Sequence, residues 1–106
     1  SGLQYLVLET GAGATPSAES TVEVHYEGKL INGTIFDSSY QRGETASFPV
    51  NRVIAGWTEA LQLMKEGDVW EVTIPAALAY GSQGAGEVIG PNATLIFKVE
   101  LVKVQA

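Results

Sequence analysis

Residues 53–67 read Val-Ile-Ala-Gly-Trp-Thr-Glu-Ala-Leu-Gln-Leu-Met-Lys-Glu-Gly, and their reading decides the fold. Ile54, Trp57, Ala60, Leu61 and Met64 recur at the i, i+3, i+4, i+7 spacing of one helical face, while Glu59, Gln62 and Lys65 fall elsewhere on the wheel. Gly67 follows the last periodic residue as a C-terminal cap signal. The spacing predicts one short amphipathic helix whose apolar face needs a sheet to cover it. Trp57 falls in the first turn, where backbone N–H groups lack partners inside the helix. A rigid apolar surface beside a free amide donor suits a small peptide ligand, and plain core packing accounts for the residue equally well.

Outward from this helix the chain reads as strand and turn. Leu3 to Glu9 is rich in β-formers and runs into Thr10-Gly11-Ala12-Gly13. That Gly-Ala-Gly is not followed by Gly-Lys-Ser/Thr or by a helical pattern, so it is a poor phosphate loop. Thr21 to Leu30 alternates, with Val22, Val24 and Tyr26 on one side and Thr21, Glu23, His25 and Glu27 on the other. His25, the single histidine, falls on the polar side and reads as a solvated surface residue. Asn32-Gly33 between Ile31 and Thr34 predicts a hairpin with a type I′ turn. Asn32-Gly33-Thr34 and Asn92-Ala93-Thr94 also match the glycosylation acceptor pattern, although turn and strand-start roles explain both without sugar.

Residues 38–47 read as a polar surface loop leading to a short strand at Phe48-Pro49-Val50. Asp37, beside Phe36, reads as a surface or turn-capping carboxylate on its own evidence. Val69 to Ile74 alternates again, with Trp70, Val72 and Ile74 on one side. Residues 76–93 form a long Gly-rich segment carrying Tyr80, Val88 and Ile89, which is unusual in a small domain and points to a binding loop. Ala93 to Val104 closes the chain as a strand whose phase shifts at Val102 and Val104, predicting a bulge. Together these elements predict an α+β fold in two layers: a twisted antiparallel sheet of five to six strands wrapped around one helix.

Composition narrows the chemistry. Six Lys plus Arg against twelve Asp plus Glu give a net charge of −6, which argues against a nucleic-acid partner. Without cysteine there is neither a disulfide nor a thiolate metal site. No apolar run approaches the roughly 20 residues needed to span a bilayer. The opening Ser1-Gly2-Leu3 carries neither a basic leader region nor an initiator methionine, so a fragment of a longer chain is expected. No nucleophile has an evident base, and Asp37 has no partner carboxylate at a readable spacing. What remains is a cleft of aromatics: Tyr26, Phe36, Trp57, Tyr80 and Phe97 come from five separate segments, with Asp37 among them.

Five motifs carry a resemblance. Val24-His25-Tyr26-Glu27-Gly28, Gly33-Thr34-Ile35-Phe36-Asp37-Ser38-Ser39, Val53-Ile54-Ala55-Gly56-Trp57, Ala79-Tyr80-Gly81 and Ala93-Thr94-Leu95-Ile96-Phe97 occur in an order that resembles FKBP-type peptidyl-prolyl cis-trans isomerases, the immunophilins that bind tacrolimus and rapamycin. Each motif alone is weak, and the set spans nearly the whole chain. Leu3-Gln4-Tyr5, residues 57–64 and Ile89-Gly90-Pro91-Asn92 are most similar to the bacterial subgroup that includes the macrophage infectivity potentiators.

The resemblance implies that residues 1–106 are a single isomerase domain forming the C-terminal part of a longer chain, dimeric through an N-terminal helical arm. It implies a bacterial protein of the periplasm or cytoplasm that works without cofactor or metal on proline-containing polypeptides, with macrolides of the tacrolimus and rapamycin class as inhibitors. The implied pocket is walled by Tyr26, Phe36, Val53, Ile54, Tyr80, Ile89 and Phe97 and floored by Trp57. Asp37 and the Tyr80 hydroxyl would be its polar groups, and the Ile54 N–H would hold a substrate carbonyl. Asp37, Tyr80, Trp57 and Phe36 are the implied catalytic set. Ala46 and Ala85 stand where animal members carry an aromatic residue and a histidine, and both differences would open the cleft. The competing reading is a chaperone or adaptor that holds proline-containing or apolar segments without turnover.

Overall fold

Alternation along the strands builds the sheet first. In the computed structural model, which describes residues 2–86 and 88–105, Val22, Val24 and Tyr26 of β2 (Thr21–Leu30) point into the core while Thr21, Glu23, His25 and Glu27 are half-exposed on the other face. Six antiparallel strands make one sheet: β1 (Gln4–Glu9), β2, β3 (Ile35–Ser38), β4 (Ala46–Pro49), β5 (Val69–Ile74) and β6 (Leu95–Gln105). Their order is β1-β5-β6-β2-β3, and β4 pairs with the first half of β2 along the edge whose second half pairs with β3. The expected bulge near Val102 is present: Glu23 pairs with Lys103 and Val24 with Leu101, leaving Val102 as the extra residue.

The helix that covers the sheet is shorter than its periodicity predicts. After α1 (Ser39–Arg42), the main helix α2 runs only from Ala55 to Leu61, burying Gly56, Trp57, Ala60 and Leu61. Met64 is fully buried, as the periodicity requires, but it is carried by tight turns in which Leu63 N–H donates to the Ala60 carbonyl and Met64 N–H to that of Leu61. Gly67 is not the helix cap. Its N–H donates to the Leu101 carbonyl at 2.8 Å, and the turn feeds β5, so tertiary pairing takes over the chain before a further helical turn forms.

Three other expectations are corrected. Residues 38–47 are not wholly loop: Ser38 caps α1 by accepting the Gln41 N–H, and Gly43, at φ 74°, closes it. The short strand begins at Ala46 and ends at Pro49, and Val50–Arg52 form a 3-10 turn. The Asn32-Gly33 hairpin forms with a different turn. Gly33 N–H donates to the Leu30 carbonyl and only Gly33, at φ 92°, takes the left-handed region, so the loop is a three-residue turn with glycine last instead of type I′, which needs positive φ at both central positions. The Asn32 side chain explains its own place by accepting the Thr34 N–H at 2.9 Å.

His25 is less solvated than its polar neighbours suggest. Its ring stacks on Tyr40 at 4.8 Å, and Nδ1 lies 2.9 Å from the buried Ser39 Oγ, which also accepts the Tyr26 N–H. Tyr40 in turn donates to Glu100, and burial together with that carboxylate pushes its hydroxyl up to about 12. These contacts fasten α1 to the outer face of the sheet and so fix where Arg42 stands. Among the described residues, no helix is long and apolar enough to cross a membrane, and no cluster of His, Asp and Glu could hold a metal ion.

Candidate active site

The cavity lies where α2 leaves one end of the apolar layer uncovered. It encloses about 530 Å³ and is lined by aromatic rings from β2, β3, β4, α2 and β6, with Val53, Ile54, Asp37, Arg52 and Tyr80 completing the wall. Trp57 is 5% exposed, and three rings stand nearly perpendicular to it: Phe97 at 5.2 Å, Tyr26 at 5.3 Å and Phe48 at 5.6 Å. Perpendicular neighbours put positive ring edges against negative faces, the arrangement aromatic quadrupoles favour. Phe36 meets Phe97 in the same way at 5.6 Å. That pair requires Gly28 opposite it on β2, since a Cβ there would lie 2.7 Å from both rings.

Polar groups gather on one side of the mouth. The Tyr26 hydroxyl donates to Asp37 Oδ2 at 2.5 Å and accepts from Arg42 Nη2 at 3.0 Å, while Arg42 Nη1 pairs with Asp37 Oδ1 at 2.5 Å. The guanidinium also lies over the Tyr26 ring, 5.6 Å from its centre. Burial by itself pushes the Asp37 carboxyl up, yet the hydrogen bonds from Tyr26 and Arg42 and the charge of Arg42 outweigh it, so Asp37 sits below the ordinary carboxylate range. Burial, followed by the hydrogen bond to Asp37, pushes the Tyr26 hydroxyl up. The site therefore keeps a fixed carboxylate and a protonated phenol at neutral pH. Such a set orients a polar ligand; it is poorly suited to take a proton from one.

Of the residues expected here, Tyr26, Phe36, Asp37, Val53, Ile54, Trp57, Tyr80 and Phe97 all line this cavity. Ile89 is 6% exposed, packed in the same buried cluster as Tyr26, Trp57 and Phe97, and paired with Ala85 across the long loop. Ala46 and Ala85 pack against the core without lining the cavity. Two residues before Phe48 on β4, Ala46 shares its face, and Phe48 brings an aromatic ring to the cavity. Phe48, Arg52 and Arg42 are the residues the sequence reading missed. Arg42 was legible in principle from the Ser38 cap and the Gly43 stop, which together mark a helix too short to show apolar periodicity. From the long Gly-rich segment Tyr80, 40% exposed, lines the cavity.

Ile54 precedes the first residue of α2, and no acceptor among the described residues takes its N–H. Thr58 Oγ1 ties the same turn to the Val50 carbonyl at 2.7 Å, so the donor is held on a fastened backbone.

Comparison with known proteins agrees with this geometry. Residues 13–102 match the family model described as FKBP-type peptidyl-prolyl cis-trans isomerase. The chain is 59% identical over 104 residues to the peptidyl-prolyl cis-trans isomerase Mip of Coxiella burnetii, covering 98% of this chain and 45% of that protein. It is likewise 59% identical over 104 residues to the FKBP-type 22 kDa peptidyl-prolyl cis-trans isomerase of Escherichia coli, covering 98% of this chain and 50% of that one. The crystal structure of FkpA from Escherichia coli superposes with a TM-score of 0.94 at 49% identity over 98% of this chain and 48% of its own. The chain thus spans about half the length of the curated relatives it matches. An aromatic cavity beside a tethered carboxylate, a six-stranded sheet folded over one main helix, and these matches over nearly the entire chain place it in the family of FKBP-type peptidyl-prolyl cis-trans isomerases.

Proposed function

We propose that this chain accelerates cis-trans rotation of X-Pro bonds, with the proline ring seated over Trp57 and between Phe36, Tyr26 and Phe97. The observation that carries the reading is the cavity itself: aromatic rings contributed by five elements, and one carboxylate held charged at the mouth by Tyr26 and Arg42.

Rotation about the imide breaks amide resonance, a barrier of about 18–20 kcal/mol, and needs no covalent step. A gain of about 10,000-fold needs roughly 5–6 kcal/mol of differential stabilisation of the twisted state. Two effects of these residues supply it. The planar imide is the more charge-separated form, so taking it from water into an aromatic enclosure penalises the ground state more than the twisted one. Walls that fit the twisted ring better than the planar one turn apolar contact into rate. The Ile54 N–H would hold the carbonyl of a flanking residue. Asp37 and the Tyr80 hydroxyl act as an oriented polar wall, since no proton has to move.

The catalytic set proposed is therefore Asp37, Tyr80, Trp57 and Phe36. The chain is proposed as one domain at the C-terminal end of a longer, dimeric protein, and macrolides of the tacrolimus and rapamycin class are proposed to compete for its cavity. The test is a protease-coupled assay on a prolyl tetrapeptide, with and without such a macrolide. Turnover that the macrolide suppresses is expected, and Asp37→Ala is expected to slow it by about tenfold. A folded chain that binds prolyl peptides without turnover would instead be a holding module.

A further inference from the structure

The charges at the cavity mouth are unequal in a way that the total charge conceals. Asp37 is neutralised locally, with its oxygens engaged by Tyr26 and Arg42. Arg52 also lines the cavity, from the end of the 3-10 turn Val50–Arg52, and it is exposed. Among the described residues it has no ion-pair or hydrogen-bond partner. It is followed directly by Val53 and Ile54, two further residues of the wall. In a chain of net charge −6, this guanidinium places a positive charge on the cavity lining that no carboxylate among the described residues pairs with.

We propose that Arg52 gives this site a preference for prolines flanked by Asp or Glu. This rests on the isomerase reading of the cavity. The proline ring is uncharged and belongs among the aromatic walls, so residues on either side of it remain at the mouth, where Arg52 stands. A guanidinium offers a carboxylate two parallel donors, which a lysine would not match. Arg42 is the weaker partner because its charge is already paired with Asp37. Neutral peptides gain nothing from Arg52, and lysine-flanked prolines are repelled by it.

The test uses two peptide series, with Glu, Gln or Lys placed immediately before or immediately after the proline. Each is assayed for kcat/KM with the unchanged protein, Arg52→Gln and Arg52→Glu, after matched thermal melts confirm all three are folded. A Glu-over-Lys ratio of about five- to tenfold is expected in at least one series for the unchanged protein. That ratio should fall to about one in Arg52→Gln, invert in Arg52→Glu, and shrink as salt rises from about 0.05 to about 0.5 M. The same peptides are titrated by NMR to give Kd ratios. Turnover of every peptide with a ratio that ignores residue 52 overturns the proposal while leaving the isomerase reading standing. Binding that follows the charge of residue 52 without any turnover supports the proposal and overturns the isomerase reading. Neither binding nor turnover overturns both.

Discussion

Trp57 and Trp70 are each 5% exposed, each leave their indole N–H without a partner among the described residues, and each belong to the same apolar core. By burial and hydrogen bonding they are indistinguishable. Their neighbours separate them. Trp70, on β5, is covered face-on by Tyr5 of β1, with ring centres 4.1 Å apart and planes within 9°. Three rings stand nearly at right angles to Trp57, which opens on a cavity of about 530 Å³. One end of the core layer is closed by stacking, and the other is propped open. Orphan indole donors and low exposure therefore do not mark a site; the orientation of the surrounding rings does.

The sharpest attempt to break this contrast is to truncate both tryptophans. Trp57→Ala and Trp70→Ala should each cost about 3–5 kcal/mol of stability, read by urea unfolding. Only Trp57→Ala should also lose isomerisation, by about 100-fold or more. Equal losses of rate in the two folded variants would mean that the two ends of the core are equivalent. A smaller effect is expected from Arg42→Ala, which frees Asp37 and Tyr26 from their shared partner without touching either indole. We expect a five- to tenfold loss of rate in the coupled assay and little change in the melting temperature, because both side chains of the Arg42–Asp37 pair are more than 40% exposed and the pair is screened by solvent.

At the closed end, Tyr5→Ala removes a stacking contact of about 0.5–1.5 kcal/mol. It should shift tryptophan emission to the red as Trp70 meets water, and leave turnover within error. A loss of turnover here would couple the two ends. The smallest effect concerns pH. Because the folded Asp37 carboxyl lies below its unfolded value, it contributes stability above the ordinary aspartate range near pH ~3.9. That contribution is lost progressively as pH falls from there through the lower folded value. Melting temperature and peptide binding should thus hold as pH drops to about 4 and decline below it, and Asp37→Asn should flatten that decline.

Much of the architecture was legible because alternation and helical spacing are local records of which side faces the core. Val22, Val24 and Tyr26 declared the buried side of β2, and the break in phase at Val102 declared a bulge that pairing with β2 bears out. The helix boundary was not legible, because Met64 satisfies the helical spacing while sitting in the turns beyond α2. Nor was α1, whose four residues are too few to carry a period. For the site, the list of aromatics was readable, but Phe48 read as an ordinary strand residue and Arg42 as part of a surface loop.

The amino-acid sequence by itself determined the α+β class, the burial side of β2 and the family, and it marked Trp70, Val72 and Ile74 as the buried side of β5, since these follow from residue order alone. Only the tertiary structure decided which buried aromatic rings enclose space and which are sealed, and that Arg42 pairs with Asp37 while Arg52 has no ion-pair partner among the described residues. The reason is physical. Ring orientation and ion pairing arise between segments far apart in the chain, where packing chooses among contacts that local pattern permits equally.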